Sequence, residues 1–265
     1  MGLQDDLAVE SPLTVVLEDW SRGVIRSENI AVTMRTPGED ANLGIGLLFT
    51  ERLIRQRSDI ESVQVVPAPS QTATVDKVVI KLRQGVTRAR EPMLRRGHVH
   101  SSCGVCATVS PDDLQMPSDE LPTSPTPNIS ANNIQQLIDH LRENQAIFQA
   151  TGGLHAASIG NCQGHLLSTH EDIGRHNALD KLIGKKFFEQ QLPLNDFVLL
   201  VSGRTSYELV HKAHIAGLRI VIGVGAASSL AVDYAIAAHM TLIGFARKNR
   251  LTIYTGEAQI LENQL

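Results

Sequence analysis

Two cysteines separated by two residues are the strongest chemical signal in this sequence. Cys103 and Cys106 enclose a glycine in the segment SSCGVC, residues 101–106, and small residues flank both thiols. A glycine keeps such a turn compact, and the arginines and histidines of residues 95–100 can lower the pKa of a nearby thiol. The resulting thiolate can accept sulfane sulfur as a persulfide, which the second thiol can shield or resolve by exchange.

The same spacing fits two other kinds of chemistry. A Cys-x-x-Cys pair can form half of a structural zinc site, which His98 and His100 would complete. The pair can also cycle between dithiol and disulfide in a redox protein. Spacing alone therefore leaves sulfur transfer, zinc binding and redox chemistry open. The third cysteine, Cys162, falls in a predicted turn between two strands and receives no role.

A polar segment, EDIGRHN at residues 171–177, follows a predicted strand and precedes a predicted helix. The guanidinium of Arg175 offers a planar donor fork for phosphate, and the N-terminus of the helix offers free backbone N–H groups. The alternative is structural. Asp172 or Asn177 would cap the helix, and Arg175 would pair with Glu171 on the surface.

Two further loops follow predicted strands in the same way. Residues 202–208 read SGRTSYE, where helix capping explains the serines but leaves Arg204 unexplained and available for phosphate. Residues 223–229 read GVGAASS and leave room for a ligand. They lack the third glycine of a dinucleotide-binding fingerprint, and no acidic residue follows the next strand, so that function is excluded.

A cationic loop, GFARKNR at residues 244–250, is predicted to connect two strands. Its cations and amide can hold a pyrophosphate, and its aromatic ring can stack or pack. The residues concerned are Phe245, Arg247, Lys248, Asn249 and Arg250. The alternative is a solvated hairpin turn that carries positive charge.

The first half of the chain must position the cysteine pair. Its pattern predicts strands at residues 13–17, 24–34, 63–66 and 75–82, with a helix at 40–54. Residues 116–128 are rich in Pro, Ser and Thr and are predicted to form a linker. We therefore divide the chain into an N-terminal α+β domain, residues 1–115, and a second domain, residues 129–265.

The second half alternates strands and helices. It begins with a helix at residues 132–148 that Ser130 can cap. Later strands are predicted at 157–159, 165–169, 198–201, 219–223 and 241–245, and later helices at 178–190, 206–216 and 229–238. Such alternation predicts a mostly parallel α/β sheet covered on both faces, with the ligand crevice at the carboxyl ends of the strands.

Composition limits the function classes. The formal net charge of −4 over 265 residues argues against a general nucleic-acid binder. The sequence contains no apolar run long enough to cross a membrane and no signal-peptide pattern at MGLQDDLAVE, so we expect no membrane partner and a cytoplasmic protein. Three cysteines in all fit reduced thiols better than a secreted disulfide framework.

Taken together, these motifs resemble the FdhD family, the formate dehydrogenase accessory sulfurtransferases. The resemblance covers most of the chain and is carried by the order and spacing of several segments. They are the cysteine loop at 101–106, GLHAA at 153–157, EDIGRHNALDKLIG at 171–184, SGRTSYE at 202–208, LAV at 230–232 and GFARKNR at 244–250, together with MRTP at 34–37 and residues 47–59.

The resemblance implies a sulfur carrier. Cys103 would bear a persulfide received from a cysteine desulfurase, and Cys106 would assist its transfer. The acceptor would be molybdenum held by two molybdopterin guanine dinucleotides, for a formate dehydrogenase catalytic subunit. Residues 245–250, including Ala246, would bind this bulky anionic cofactor through its guanine nucleotide portion, with Arg175 and Arg204. The resemblance implies no structural metal. It implies that the protein forms a homodimer.

The resemblance also implies a fold, and this sequence departs from the family pattern at several positions. The second domain of the family is similar to cytidine deaminase, a three-layer sheet domain, beside a smaller α+β domain. His155 here lacks the following catalytic Glu, and residues 202–204 replace the cysteine pair, so a hydrolytic deaminase is not expected. Ala107 replaces a common Gly, and Ala246 and Lys248-Asn249 replace the Cys and Pro-Gly of some relatives.

Overall fold

The first half of the chain forms a four-stranded sheet with one helix packed against it. The computed structural model describes residues 5–21, 23–68, 75–86, 88, 126–248 and 250–261. The elements of this half are β1 (Ser11–Ser21), β2 (Val24–Arg35), α1 (Asp40–Thr50), β3 (Ile60–Val66) and β4 (Asp76–Leu82). The strand order is β2-β1-β4-β3, with β1 parallel to β4.

Alternation along the strands explains how this sheet acquires its core. Successive side chains of a strand point to opposite faces, so Leu13, Val15 and Leu17 of β1 share one face, and all are 0% exposed. Leu43 and Ile45 of α1 belong to the same buried cluster. The predicted strands and helix of this half are confirmed, although α1 ends at Thr50 rather than at residue 54.

The second half contains a six-stranded sheet between two layers of helices. Its helices are α2 (Ala131–Glu143), α3 (Ala146–Thr151), α4 (Arg175–Phe188), α5 (Tyr207–Ile215) and α6 (Ser229–Ala237). Its strands are β5 (Ile129–Ser130), β6 (His155–Asn161), β7 (Leu166–Asp172), β8 (Phe197–Val201), β9 (Ile220–Gly223), β10 (Thr241–Arg247), β11 (Arg250–Thr255) and β12 (Ile260–Leu261). The main sheet has the order β11-β10-β9-β8-β6-β7, and β5 pairs separately with β12.

Side chains of β8 show the three layers directly. Leu199 and Val201 join the core formed with α4, α5 and α6, whereas Val198 and Leu200 join the core formed with α2. Both faces of the sheet are therefore buried, as expected for a central strand of an α/β fold. The predicted combination of a three-layer α/β unit with a smaller α+β unit is confirmed.

The prediction that this sheet is mostly parallel is wrong. β8, β9 and β10 run parallel, but β6 is antiparallel to both β7 and β8, and β11 is antiparallel to β10. Short turns join β6 to β7 and β10 to β11, and a short turn can only produce antiparallel neighbours. The predicted helix at 132–148 is also divided into α2 and α3, although Ser130 caps α2 as expected, accepting from the N–H of Asn133 at 3.1 Å.

Two glycines allow α1 and α4 to cross at backbone contact, which joins the two halves. A Cβ built on Gly46 would lie 1.9 Å from the carbonyl oxygen of Asp180. A Cβ built on Gly184 would likewise lie 1.9 Å from the carbonyl oxygen of Asn42. The predicted linker at 116–128 lies largely outside the described residues, so the division at residues 115 and 129 stays a prediction. In the part of the chain that the structure describes, every helix is too short or too polar to cross a membrane.

Candidate anion-binding site

Backbone hydrogen bonds join the loop that follows β8 to the loop that follows β9, and join the latter to the end of β10. The N–H of Gly225 donates to the carbonyl of Gly203 at 3.0 Å, and the N–H of Phe245 donates to the carbonyl of Gly225 at 2.9 Å. A Cβ on Gly225 would lie 2.9 Å from the backbone nitrogen of Arg204, so the loops meet closely because residue 225 is glycine. The predicted meeting of these loops at one edge of the sheet is thus confirmed.

His155 reaches the same edge from the neighbouring antiparallel strand. It is the first residue of β6, and the pairing of Ala157 with Val201 brings it beside Gly203. A Cβ on Gly203 would lie 3.1 Å from Nδ1 of His155 and 4.0 Å from Cδ of Arg175. The imidazole and the Arg175 side chain therefore flank the bare α-carbon of Gly203.

The charge at this edge is positive and unbalanced. Within the described residues, neither Arg175 nor Arg204 forms an ion pair, and the buried Nε of Arg175 has no hydrogen-bond partner. Burial, followed by the charges of Arg175, His176 and Arg204, lowers the pKa of His155, whereas Asp172 opposes the shift. We call Arg175 and Arg204 the cationic cluster, and His155 adjoins it. The donors of this cluster match the oxygens of phosphate.

Both structural alternatives for the segment at 171–177 are wrong. The N-cap of α4 is Gly174, and no side chain caps this end of the helix. Glu171 does not pair with Arg175. Its two carboxylate oxygens instead accept from the N–H groups of Ile147 and Phe148 at 2.9 and 2.8 Å, at the start of α3.

The same segment fastens the second half of the chain to the connection between β2 and α1. The N–H of Thr36 donates to Oδ2 of Asp172 at 3.1 Å, and Nζ of Lys181 donates to the carbonyl of Thr36 at 3.0 Å. Nδ2 of Asn177 donates to the carbonyl of Met34 at 2.7 Å. These bonds fix the first turn of α4, and with it the base of the Arg175 side chain.

The polar residues at the start of α5 are engaged structurally. The hydroxyl of Ser202 accepts from the N–H of Ala156 at 2.8 Å, and the backbone N–H of Thr205 donates to the carbonyl of Ala226 at 2.9 Å, although the buried Oγ1 of Thr205 has no hydrogen-bond partner among the described residues. Nε2 of His176 lies 3.0 Å from Oε2 of Glu208 and 3.4 Å from Oγ of Ser206. Since both contacts use the same ring nitrogen, these residues do not form a Ser-His-carboxylate relay, which needs both nitrogens.

Residues 245–247 end β10 and Arg250 begins β11, and the aromatic ring and the described cations of this segment are exposed. Phe245 is 39% exposed and adopts a left-handed backbone conformation with φ of 50°, within a bulge of β10 against β11. Arg247 pairs directly with Arg250 across the strands, and both are exposed, as is Lys248. Like charges placed opposite each other destabilise a hairpin unless an anion joins them.

Four of the predicted site residues are Ala246, Asn249, Cys103 and Cys106, of which the structure describes Ala246. The methyl group of Ala246 is buried in the core, so this residue can offer a ligand its backbone alone. Asn249 lies outside the described residues. Cys103 and Cys106 also lie outside them, together with the basic residues 95–100. The described thiol, Cys162, is half-buried, and burial raises its pKa, which makes it a poor nucleophile.

Sequence reasoning missed His155 as a member of the site. It used this histidine as part of the segment GLHAA and for the glutamate that does not follow it, and it assigned the side chain no ligand. The available signal was its position two residues before a predicted strand, but Gly203, which it contacts, is 48 positions away along the chain. Contact with Gly203 depends on the antiparallel pairing of β6 with β8, and the prediction of a mostly parallel sheet obscured that pairing.

The fold and the site define a two-part α/β protein with a cationic cluster at one edge of its larger sheet. Comparison with known proteins specifies the family. The FdhD/NarQ family model matches residues 8–261. The chain belongs to this family.

Curated relatives agree over nearly the whole chain. The "Sulfur carrier protein FdhD" of Mycolicibacterium paratuberculosis is 37% identical, covering 94% of this chain and 92% of the relative. The protein of the same name from Streptomyces coelicolor is 36% identical, covering 97% and 93%. A crystal structure of a putative formate dehydrogenase accessory protein from Desulfotalea psychrophila has a TM-score of 0.71 at 20% identity, covering 97% of this chain and 91% of that one. That likeness supports the fold.

Proposed function

We propose that this protein is a sulfur carrier that takes sulfane sulfur from a cysteine desulfurase and delivers it to the molybdenum cofactor of a formate dehydrogenase. Support comes from the family and from relatives named as sulfur carriers over more than nine-tenths of the chain. The structural observation that carries the proposal is the cationic cluster, where Arg175 and Arg204 have no carboxylate partner among the described residues.

The proposed sulfur chemistry uses both thiols. The thiolate of Cys103 attacks the terminal sulfur of a desulfurase persulfide, forms a new S–S bond and releases the desulfurase thiolate. Cys106 then attacks the Cys103 sulfur atom. The two cysteines are oxidised to a disulfide, and the terminal sulfur leaves with the electron pair as sulfide, which molybdenum accepts as a ligand. Reduction of the disulfide by a cellular dithiol restores the carrier.

The proposed acceptor suits the charge of the cationic edge. Each molybdopterin guanine dinucleotide contains a pyrophosphate and a guanine base. Arg175 and Arg204 would bind phosphate oxygens, since a guanidinium fork matches this geometry. The exposed ring of Phe245 would stack on a guanine, with the cations at Arg247, Lys248 and Arg250 adding further charge.

The remaining parts of the proposal concern partners. The carrier would meet two macromolecules, the desulfurase and the catalytic subunit of formate dehydrogenase. It would act as a homodimer in the cytoplasm, where thiols remain reduced. It would need no resident metal, and the molybdenum cofactor would be its substrate.

Reconstitution tests this proposal. A desulfurase, isotopically labelled cysteine, the carrier and sulfur-free formate dehydrogenase are combined, and formate oxidation and label in the dehydrogenase are measured. Wild type and Cys162→Ala should support both, whereas Cys103→Ala should support neither. Full activity with Cys103→Ala would refute the proposal. Zinc bound at one equivalent and lost with Cys103→Ala would instead favour a zinc-stabilised escort.

A further inference from the structure

We infer that His155 is a proton-linked ligand, which takes up a proton when a diphosphate-bearing nucleotide binds at Arg175 and Arg204. This inference rests on the proposed function, because it assigns a specific chemical role within the proposed cofactor site. It adds a residue that sequence motifs did not assign. It also makes ligand affinity depend on pH.

The placement of His155 supports a direct contact with the ligand. Its ring lies against Gly203, whose missing Cβ keeps the imidazole beside the loop that carries Arg204. Within the described residues, neither ring nitrogen has a hydrogen-bond partner. The residue is half-buried, and the adjacent Nε of Arg175 is a buried donor without a described partner. A phosphate at this position would satisfy both side chains.

The charged groups around His155 come from three elements. Arg175 and His176 belong to α4, Arg204 follows β8, and Asp172 ends β7. Asp172 is committed to Lys181 at 2.8 Å, and Glu208 is committed to His176 at 3.0 Å. Lys181 therefore neutralises Asp172, while the guanidinium charges of Arg175 and Arg204 have no carboxylate partner among the described residues. In this environment the unliganded imidazole is held neutral, because burial and these cations lower its pKa.

An arriving diphosphate reverses that balance. Its negative charge offsets Arg175 and Arg204 and favours the protonated form of His155. A ring nitrogen accepts a proton from solvent, and its N–H then donates to a phosphate oxygen in a charge-assisted bond. No covalent bond is broken. Since the bound state has the higher histidine pKa, binding takes up a proton, and affinity falls as pH rises through the interval between the two values.

Calorimetric titration with diguanosine diphosphate provides the test. The two phosphates of this probe are diesters, so the probe itself does not titrate near neutrality. Binding is measured in several buffers of different ionisation enthalpy, and the slope gives the number of protons taken up. Wild type should take up a fraction of a proton at pH 7 and bind at least about threefold more weakly at pH 8 than at pH 6.

Matched histidine variants identify the side chain that takes up the proton. His155→Gln should show no proton uptake and a flat pH dependence, whereas His165→Gln, at an exposed turn, should match wild type. Proton uptake that persists in His155→Gln, or that disappears in His176→Gln instead, would overturn the inference. NMR spectra of the histidine rings in wild type provide a check that does not depend on the folding of a variant. On addition of the probe, one ring resonance should move to the chemical shift of a protonated imidazole. That resonance should be absent from spectra of His155→Gln.

The outcomes also separate this inference from the proposed function. Binding without proton uptake in wild type overturns the role of His155 and leaves the sulfur carrier intact. Failure of wild type to bind the probe at any pH overturns both the inference and the cofactor site. Sulfur loading on Cys103, measured separately, is independent of His155 and tests the carrier chemistry alone.

Discussion

Asp172 and Lys181 form an ion pair that is almost completely removed from solvent. Oδ2 of Asp172 lies 2.8 Å from Nζ of Lys181, and the side chains are 0% and 2% exposed. Nζ also donates to the carbonyls of Thr36 and Glu171, at 3.0 and 3.2 Å, so the ammonium group has three acceptors. The pair therefore links α4 to the connection between β2 and α1, and it sets the position of Arg175 at the start of α4.

Lys181→Met should destabilise the protein strongly. It leaves the Asp172 carboxylate buried without its countercharge, which costs about 3–5 kcal/mol of unfolding free energy. Urea denaturation measures this loss. Lys185→Met, one turn further along α4 and partly exposed, should change the unfolding free energy by less than about 0.5 kcal/mol. Adding Asp172→Asn to Lys181→Met should recover part of the loss, and equal stability of the two lysine variants would contradict this role.

Gly46→Ala should separate α1 from α4. The new methyl group would overlap the carbonyl of Asp180, a backbone atom that cannot rotate away, and the cost should be about 1–3 kcal/mol. Gly44→Ala on the same helix is the comparison variant, because its methyl would meet a side-chain methyl of Val78 at 2.7 Å rather than a backbone atom, and it should cost less. The melting temperatures of the two variants, measured by thermal unfolding, give the comparison. A smaller loss for Gly46→Ala than for Gly44→Ala would refute the close crossing.

Much of the fold could be predicted from the sequence because its signals are local. Alternation in DKVVIKL predicts β4, and Ser130 is a recognisable cap for α2. Strand direction is not local. The mixed direction of the larger sheet results from β6 pairing with β8, and no short-range pattern reports which strands become neighbours.

The site was partly predictable for the same reason. Arg175 and Arg204 were identified because each follows a strand and precedes a helix. The structural roles of Asp172 and Lys181 could not be predicted, since their partner Thr36 lies 136 and 145 positions away along the chain. The segment at 171–177 therefore positions Arg175 through long-range bonds that its own sequence does not reveal.

Glu39 should contribute a pH-dependent part of stability. A hydrogen bond with His170 is the largest cause that lowers the pKa of this carboxyl from its ordinary value of 4.5. A depressed folded-state pKa stabilises the protein above the unfolded value, and that stability is lost as pH falls through the folded value. The melting temperature of wild type should thus exceed that of Glu39→Gln at pH 6, and the difference should shrink below pH 4.5. A difference in melting temperature that stays constant with pH would contradict this role of Glu39. Glu143→Gln, on the exposed end of α2, is the control.

Phe245→Asn should weaken nucleotide binding without unfolding the protein. Asn tolerates the left-handed backbone conformation at this position, so the substitution keeps the bulge. Loss of base stacking should weaken the binding of diguanosine diphosphate by about 1–3 kcal/mol. Phe148→Gln removes a ring of similar exposure from α3, which is not one of the loops that follow β8, β9 and β10, and should leave binding unchanged. Unaltered affinity of Phe245→Asn would exclude the stacking role.

Intact mass spectrometry after incubation with a cysteine desulfurase and cysteine tests the central claim most directly. Wild type, Cys106→Ala and Cys162→Ala should each gain the mass of one sulfur atom, and Cys103→Ala should gain none. The added sulfur should disappear on treatment with a dithiol, as a persulfide requires. An adduct of the same size on Cys103→Ala, or none on wild type, would contradict the assignment of Cys103 as the sulfur-carrying residue.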